Sequence, residues 1–93
     1  MAEIQVEKTG WGDGYEFEVT VREGVSETVH RVTLSEDDYE RLAGDEATPE
    51  ELVAESFQFL LERESKEAIL NSFDLTVIST YFPEYEREIV KRL

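Results

Sequence analysis

The chain has no cysteine, a single histidine, two prolines and five glycines among its 93 residues. Without cysteine, neither a disulfide nor a thiolate metal site can support the fold, and one histidine leaves zinc without an adequate ligand set. The lack of cysteine also fits a reducing compartment. Positive charge is scarce: nine bases stand against 23 acids, giving a net charge of −14 that is spread along the chain. Such a field repels phosphate backbones and anionic lipid, so direct binding of nucleic acid or membrane is not expected. Long apolar runs are missing too. None approaches the roughly 20 residues that span a bilayer. The opening Met1-Ala2-Glu3-Ile4-Gln5 has neither the basic flank nor the apolar stretch of a signal peptide. The expectation is one cytoplasmic domain that needs no cofactor.

What is present is enough for a core: 40% of the residues are hydrophobic, and the aromatics comprise one Trp, four Tyr and five Phe. Their rhythm changes at Ser35. Ile4 and Val6 alternate with Glu3, Gln5 and Glu7, which reads as a short first strand. Tyr15, Phe17, Val19 and Val21 alternate with Glu16, Glu18, Thr20 and Arg22, the period-two pattern of a strand with one wet face. A second such run extends from about Ser26 to Leu34. If Gly24-Val25 makes a two-residue type II′ turn, facing residues sum to 49. That register sets Arg22 against Glu27 and Glu18 against Arg31 on the wet face. It sets Phe17 against Val32, Tyr15 against Leu34 and Val19 against His30 on the other. Each pair contributes about 0.2–1 kcal/mol, and a slip of one residue would break them all.

After Ser35 the apolar residues recur every three or four positions behind helix caps. Ser35 caps a first helix over about 36–43, ended by Gly44. Thr48-Pro49-Glu50-Glu51 is a capping box for a helix over about 49–63, whose apolar side is wider than a helix resting on a sheet alone requires. Shorter helices are predicted over about 66–71 and 75–80, the latter capped by Asp74. A last helix is predicted over about 83–92, opened by Pro83 and striped with Phe82, Tyr85, Ile89 and Leu93. The fold class is therefore α+β: an N-terminal antiparallel meander of two or three strands over about 3–34, followed by a helical block packed on one face.

Chemistry is thinly represented. His30 is the natural general base, but the register turns it onto the apolar face, with no nucleophile or orienting acid at recognisable spacing. Gly10, Gly12 and Gly14 do not have the spacing of a dinucleotide fingerprint, and a strand follows them instead of a helix. Glu36-Asp37-Asp38 and Glu50-Glu51 sit at helix starts, where the dipole accounts for them, and they lack the ligand spacing of a calcium loop. No catalytic, cofactor or metal residue is identified. Trp11 and the aromatic cluster of Phe82 and Tyr85, with Ile89, either close the core or offer an interaction surface. The acidity allows a solvated or salt-adapted surface, a face for a basic partner, or mimicry of nucleic acid.

Two stretches resemble a group of small hypothetical prokaryotic proteins. One is Glu51-Leu52-Val53-Ala54-Glu55-Ser56-Phe57-Gln58-Phe59-Leu60-Leu61-Glu62-Arg63-Glu64. The other is Ala68-Ile69-Leu70-Asn71-Ser72-Phe73-Asp74-Leu75, followed by Ile78 and Tyr81-Phe82-Pro83-Glu84-Tyr85-Glu86. His30-Arg31-Val32-Thr33-Leu34 matches a strand that precedes the helices in that group, so the likeness covers about residues 15–89. The resemblance implies a shared fold. It carries over no catalytic residue, because no activity is assigned to the group. The function expected is that of a non-enzymatic accessory protein acting through protein contact or self-association. Alternatives are an acidic decoy for a basic nucleic-acid-binding protein, and an enzyme using His30.

Overall fold

The computed structural model describes residues 2–10, 12 and 14–93. Three antiparallel strands come first: β1 (Glu3–Gly10), β2 (Gly14–Glu23) and β3 (Ser26–Ser35). The register between β2 and β3 is the one the charge and size pairs require, with Tyr15 facing Leu34, Phe17 facing Val32, Val19 facing His30 and Arg22 facing Glu27. Gly24 makes this possible. Its φ of 59° is the left-handed conformation that a type II′ turn needs at its first central position, and no other residue type adopts it as cheaply. Gly14 is needed for a different reason: a Cβ there would lie 2.9 Å from the carbonyl oxygen of Leu34, closer than neighbouring strands permit. Beside β2, β1 sets Ile4 against Val21 and Val6 against Val19, and its pairing shifts between Lys8 and Gly10.

Helices follow: α1 (Glu36–Leu42), α2 (Pro49–Leu61), α3 (Val77–Tyr81) and α4 (Tyr85–Arg92). Ser35 caps α1 by accepting from the Asp38 amide, and Gly44, at φ 54°, lies just beyond its end. Thr48 accepts from the Glu51 amide at 3.1 Å while Glu51 accepts from the Thr48 amide at 3.0 Å. That reciprocal box is worth about 1 kcal/mol to the start of α2.

A fourth strand, β4 (Ser72–Asp74), pairs in parallel with β3 and gives a sheet of order β1-β2-β3-β4. The meander of two or three strands is thus extended by a strand returning from the helical region. A parallel return needs a long crossover, and here it runs through α1 and α2. The helix expected over 66–71 is reduced to one 3₁₀ turn, Lys66–Ala68. Two bonds to β3 pull the chain out of helix after that turn. The Arg31 amide donates to the Asn71 carbonyl at 2.7 Å, and His30 Nδ1 meets the Leu70 carbonyl at 2.7 Å. Asp74 ends β4 and accepts from the Thr76 amide at 3.2 Å through Oδ2, but it is not the N-cap of the helix expected over 75–80: α3 starts at Val77, with Thr76 at the cap position. The last helix begins at Tyr85 and not at Pro83. Proline disfavours helical backbone in the residue before it, and Phe82 accordingly takes an extended conformation that separates α3 from α4.

The core lies between the inner sheet face and α2. Phe17, Val19, Val21 and Val32 are fully buried, as are Leu52, Val53, Phe57 and Phe59. The wide apolar side of α2 serves two neighbours. Phe57 packs on His30 and Phe73, at ring separations of 5.4 and 6.0 Å, and Phe59 packs on Tyr85 and Phe82 at 5.3 and 5.9 Å. Burial of each such side chain contributes roughly 1.5–3 kcal/mol. Among the described residues, no helix is long and apolar enough to cross a membrane.

Candidate functional site

The end of α2, the 3₁₀ turn, β4 and α3 meet around an apolar groove of about 370 Å³. Its floor is Leu60, Ile69 and Ile78, all buried and continuous with the core. Phe73, Val77 and Phe82 form half-buried walls. Leu70 and Tyr81 stand on the rim with 46% and 65% of their surface exposed. Both rim residues follow from local structure. Leu70 lies on the extended path into β4, where its carbonyl is tied to His30 and its side chain is left outside. Tyr81 is the last residue of α3, just before Phe82-Pro83 breaks the helix.

The groove has one charged residue in its lining, Glu64, which makes no ion pair among the described residues. The two nearest cations along the chain are engaged elsewhere. Arg63 directs Nε to Glu84 at 3.3 Å and lays its guanidinium 3.6 Å from the centre of the Phe59 ring. Lys66, 4% exposed, places Nζ 2.6 Å from Glu67 and 3.6 Å from Glu23. The hydrogen bond that the Lys66 ammonium donates to Glu67 holds it above its ordinary pKa, so it stays charged and bound. The rim therefore carries uncompensated negative charge over an apolar floor.

His30 lies away from solvent, 1% exposed, with both ring nitrogens occupied. The Leu70 carbonyl can only accept, so Nδ1 carries the proton, and in the neutral ring Nε2 accepts from the Thr28 hydroxyl at 2.9 Å. Both bonds hold strand and loop together, and the ring is walled by Phe57.

Of the residues expected on an interaction surface, Tyr85 and Ile89 are fully buried. This is a correction: the stripe at spacings of three and four faces inward. The Tyr85 hydroxyl donates to Ser56 Oγ at 2.6 Å, and Ser56 donates in turn to the Leu52 carbonyl at 2.7 Å. Burial pushes the phenol well above its ordinary pKa. Phe82 is half-buried in the groove wall, and Trp11 lies outside the described residues. Leu70, Val77 and Tyr81 were not singled out by pattern; the only signal pointing to them was the aromatic density around Tyr81-Phe82.

A second, polar hollow lies at the end of the sheet near Glu16, Thr33, Ser35 and Asp74. Its carboxylates have local partners, since Thr9 donates to Glu16 and Thr33 donates to Asp74 at 2.7 Å. Among the described residues, no group of three or more histidine or carboxylate side chains is placed to hold a metal ion. No protein-family model, curated protein or solved structure matches this chain.

Proposed function

We propose that this chain is a non-enzymatic cytoplasmic accessory protein that acts by holding a partner protein, and that the groove between α2, β4 and α3 is where it does so. One observation carries the reading. Leu70 and Tyr81 stand exposed above an apolar floor, whereas Phe57 and Phe59 of α2 and Tyr85 and Ile89 of α4 are turned inward. Exposed apolar surface gathered over a concavity is the usual form of a protein contact site. An enzymatic reading built on His30 has little to work with, because the ring is enclosed and both its nitrogens are bonded.

The test is affinity capture from native lysate at low and high salt, comparing the wild-type chain with a Leu70→Ser/Tyr81→Ser variant. Both positions are exposed, so the variant is expected to keep its circular dichroism and its melting midpoint. Loss of a defined captured protein supports the reading. An identical capture profile from both chains counts against it.

A second reading rests on the opposite face of the sheet. The strand registers put Glu3, Glu7, Glu16, Glu18, Glu27 and Asp74 on one side with only Arg22 and Arg31 between them. Such a face suits a decoy for a basic nucleic-acid-binding protein. Its mark would be capture that disappears at high salt yet survives the groove substitutions.

A further inference from the structure

We infer that the groove takes a basic amphipathic helix from another protein, an inference that rests on the groove being the contact site. Volume is the first consideration. At about 370 Å³ the hollow is near the small end of the roughly 300–1,000 Å³ of ligand pockets, enough for a few apolar side chains of a segment and too small for a domain. A helix laid in a groove presents such anchors at positions i, i+3 or i+4, and i+7.

Charge selects among helices. The lining has a single charged side chain, Glu64, and the neighbouring Arg63 and Lys66 are held by Glu84, Glu67 and Glu23. An incoming cation would find Glu64 outside any ion pair among the described residues, and an incoming carboxylate would be repelled by it while Arg63 and Lys66 are held elsewhere. The rest of the molecule acts in the same direction, with a net charge of −14 that draws basic partners and turns acidic ones away.

A second copy of this chain does not fit that description. It carries the same −14, and among the described residues no helix presents a free apolar stripe. Phe57 and Phe59 of α2 and Tyr85 and Ile89 of α4 are already buried in its own core, which leaves the isolated Val90 exposed on α4.

Three synthetic helical peptides test the inference on the intact chain. The first has leucines at helical spacing and lysines elsewhere. The second replaces every lysine with glutamate. The third keeps the lysines but has serine at each leucine position. The expected result is that the leucine–lysine peptide alone shifts the amide resonances of Leu70, Val77 and Tyr81 at physiological salt. Its affinity should fall roughly tenfold or more in Leu70→Ser/Tyr81→Ser, as for other well-seated anchors. It should fall by a smaller factor, roughly threefold to tenfold, in Glu64→Lys, as for a charge at the edge of an interface.

Equal binding of the glutamate peptide overturns the charge requirement while leaving the groove as a contact site. Equal binding of the serine peptide shows attraction by net charge alone and overturns the inference. A concentration-dependent dimer that Tyr81→Ser abolishes would make a second copy the occupant and overturn it as well. If no peptide moves the groove resonances and lysate capture is also unchanged by the groove variant, the reading of the groove itself falls.

Discussion

Tyr85 brings a hydroxyl into an apolar interior, and Ser56 makes that tolerable. The phenol donates to Ser56 Oγ, and Ser56 passes its own proton to the Leu52 carbonyl, so every polar group in the chain of contacts is satisfied. Tyr85→Phe removes the first bond and leaves the second. The expected loss is about 1 kcal/mol of unfolding free energy, whereas Tyr85→Ala should lose about 3–5 kcal/mol through the cavity. Urea denaturation measures both, and an unchanged midpoint for Tyr85→Ala would mean that the ring belongs to a surface. His30 performs a related task between elements. His30→Leu keeps an apolar body but strands the Leu70 carbonyl and loosens Thr28, so a loss of about 1–3 kcal/mol is expected. Because the neighbouring Arg31 amide donates to Asn71 across the same junction, its hydrogen exchange should quicken by more than that of the β2–β3 hairpin. Uniform quickening would assign His30 only a packing role.

Among the elements, β4 depends most on a single side chain. Asp74 accepts from the Thr33 hydroxyl at 2.7 Å through one oxygen, and from the Thr76 amide and hydroxyl at 3.2 and 2.6 Å through the other. It thereby joins the edge of the sheet to the entry of α3. Asp74→Ala should cost about 1–2 kcal/mol, and the Leu75 amide, which donates to the Thr33 carbonyl, should lose its exchange protection first. If Leu75 stays protected, Asp74 does not hold the strand. The same strand shows where pattern reading stops. The hairpin was legible because Tyr15 to Val21 alternate strictly, the run from His30 to Leu34 matches them in register, and a glycine stands at the one turn position needing left-handed backbone. The caps at Ser35 and Thr48 were legible because capping is local. Three residues cannot display a period, and what makes Ser72–Asp74 a strand is β3, some 40 positions away in sequence. Spacing also gives a stripe without giving its direction. Tyr85 and Ile89 were correctly grouped by period and point inward, whereas Leu70 and Tyr81 sit at the edges of elements, where no period marks them.

At the scale of the molecule, two electrostatic effects oppose each other, and salt and pH separate them. Ion pairs such as Arg22–Glu27 and Arg92–Glu62 hold the surface together, but exposed pairs are worth about 0–1 kcal/mol each and nine bases cannot neutralise 23 acids. Repulsion among the surplus carboxylates opposes the compact state at neutral pH, notably where Glu7 faces Glu18 directly across β1 and β2. Sodium chloride screens both effects, and the repulsive excess should dominate. Raising ionic strength from about 0.01 M to 0.15 M shortens the Debye length from roughly 30 to 8 Å, so most of the change should come in that range. If screening restores on the order of 1 kcal/mol, the melting midpoint should rise by about 4–8 °C at pH 7. Acid reverses the balance. The hydrogen bond from Arg92 holds Glu62 below the ordinary carboxylate range, and bonds from Arg41 and from the Thr48 amide do the same for Asp38 and Glu51. Groups lowered in the folded state stabilise it fully above their unfolded pKa near 4 and lose that contribution as pH falls through the lower folded value, so the acid limb lies below about pH 4. Near that limb the surplus charge is largely protonated, and the rise in melting midpoint with salt should shrink or disappear. A midpoint that falls with salt at pH 7 would show instead that the ion pairs outweigh the repulsion, and that the acidic surface is organised for stability in dilute solution.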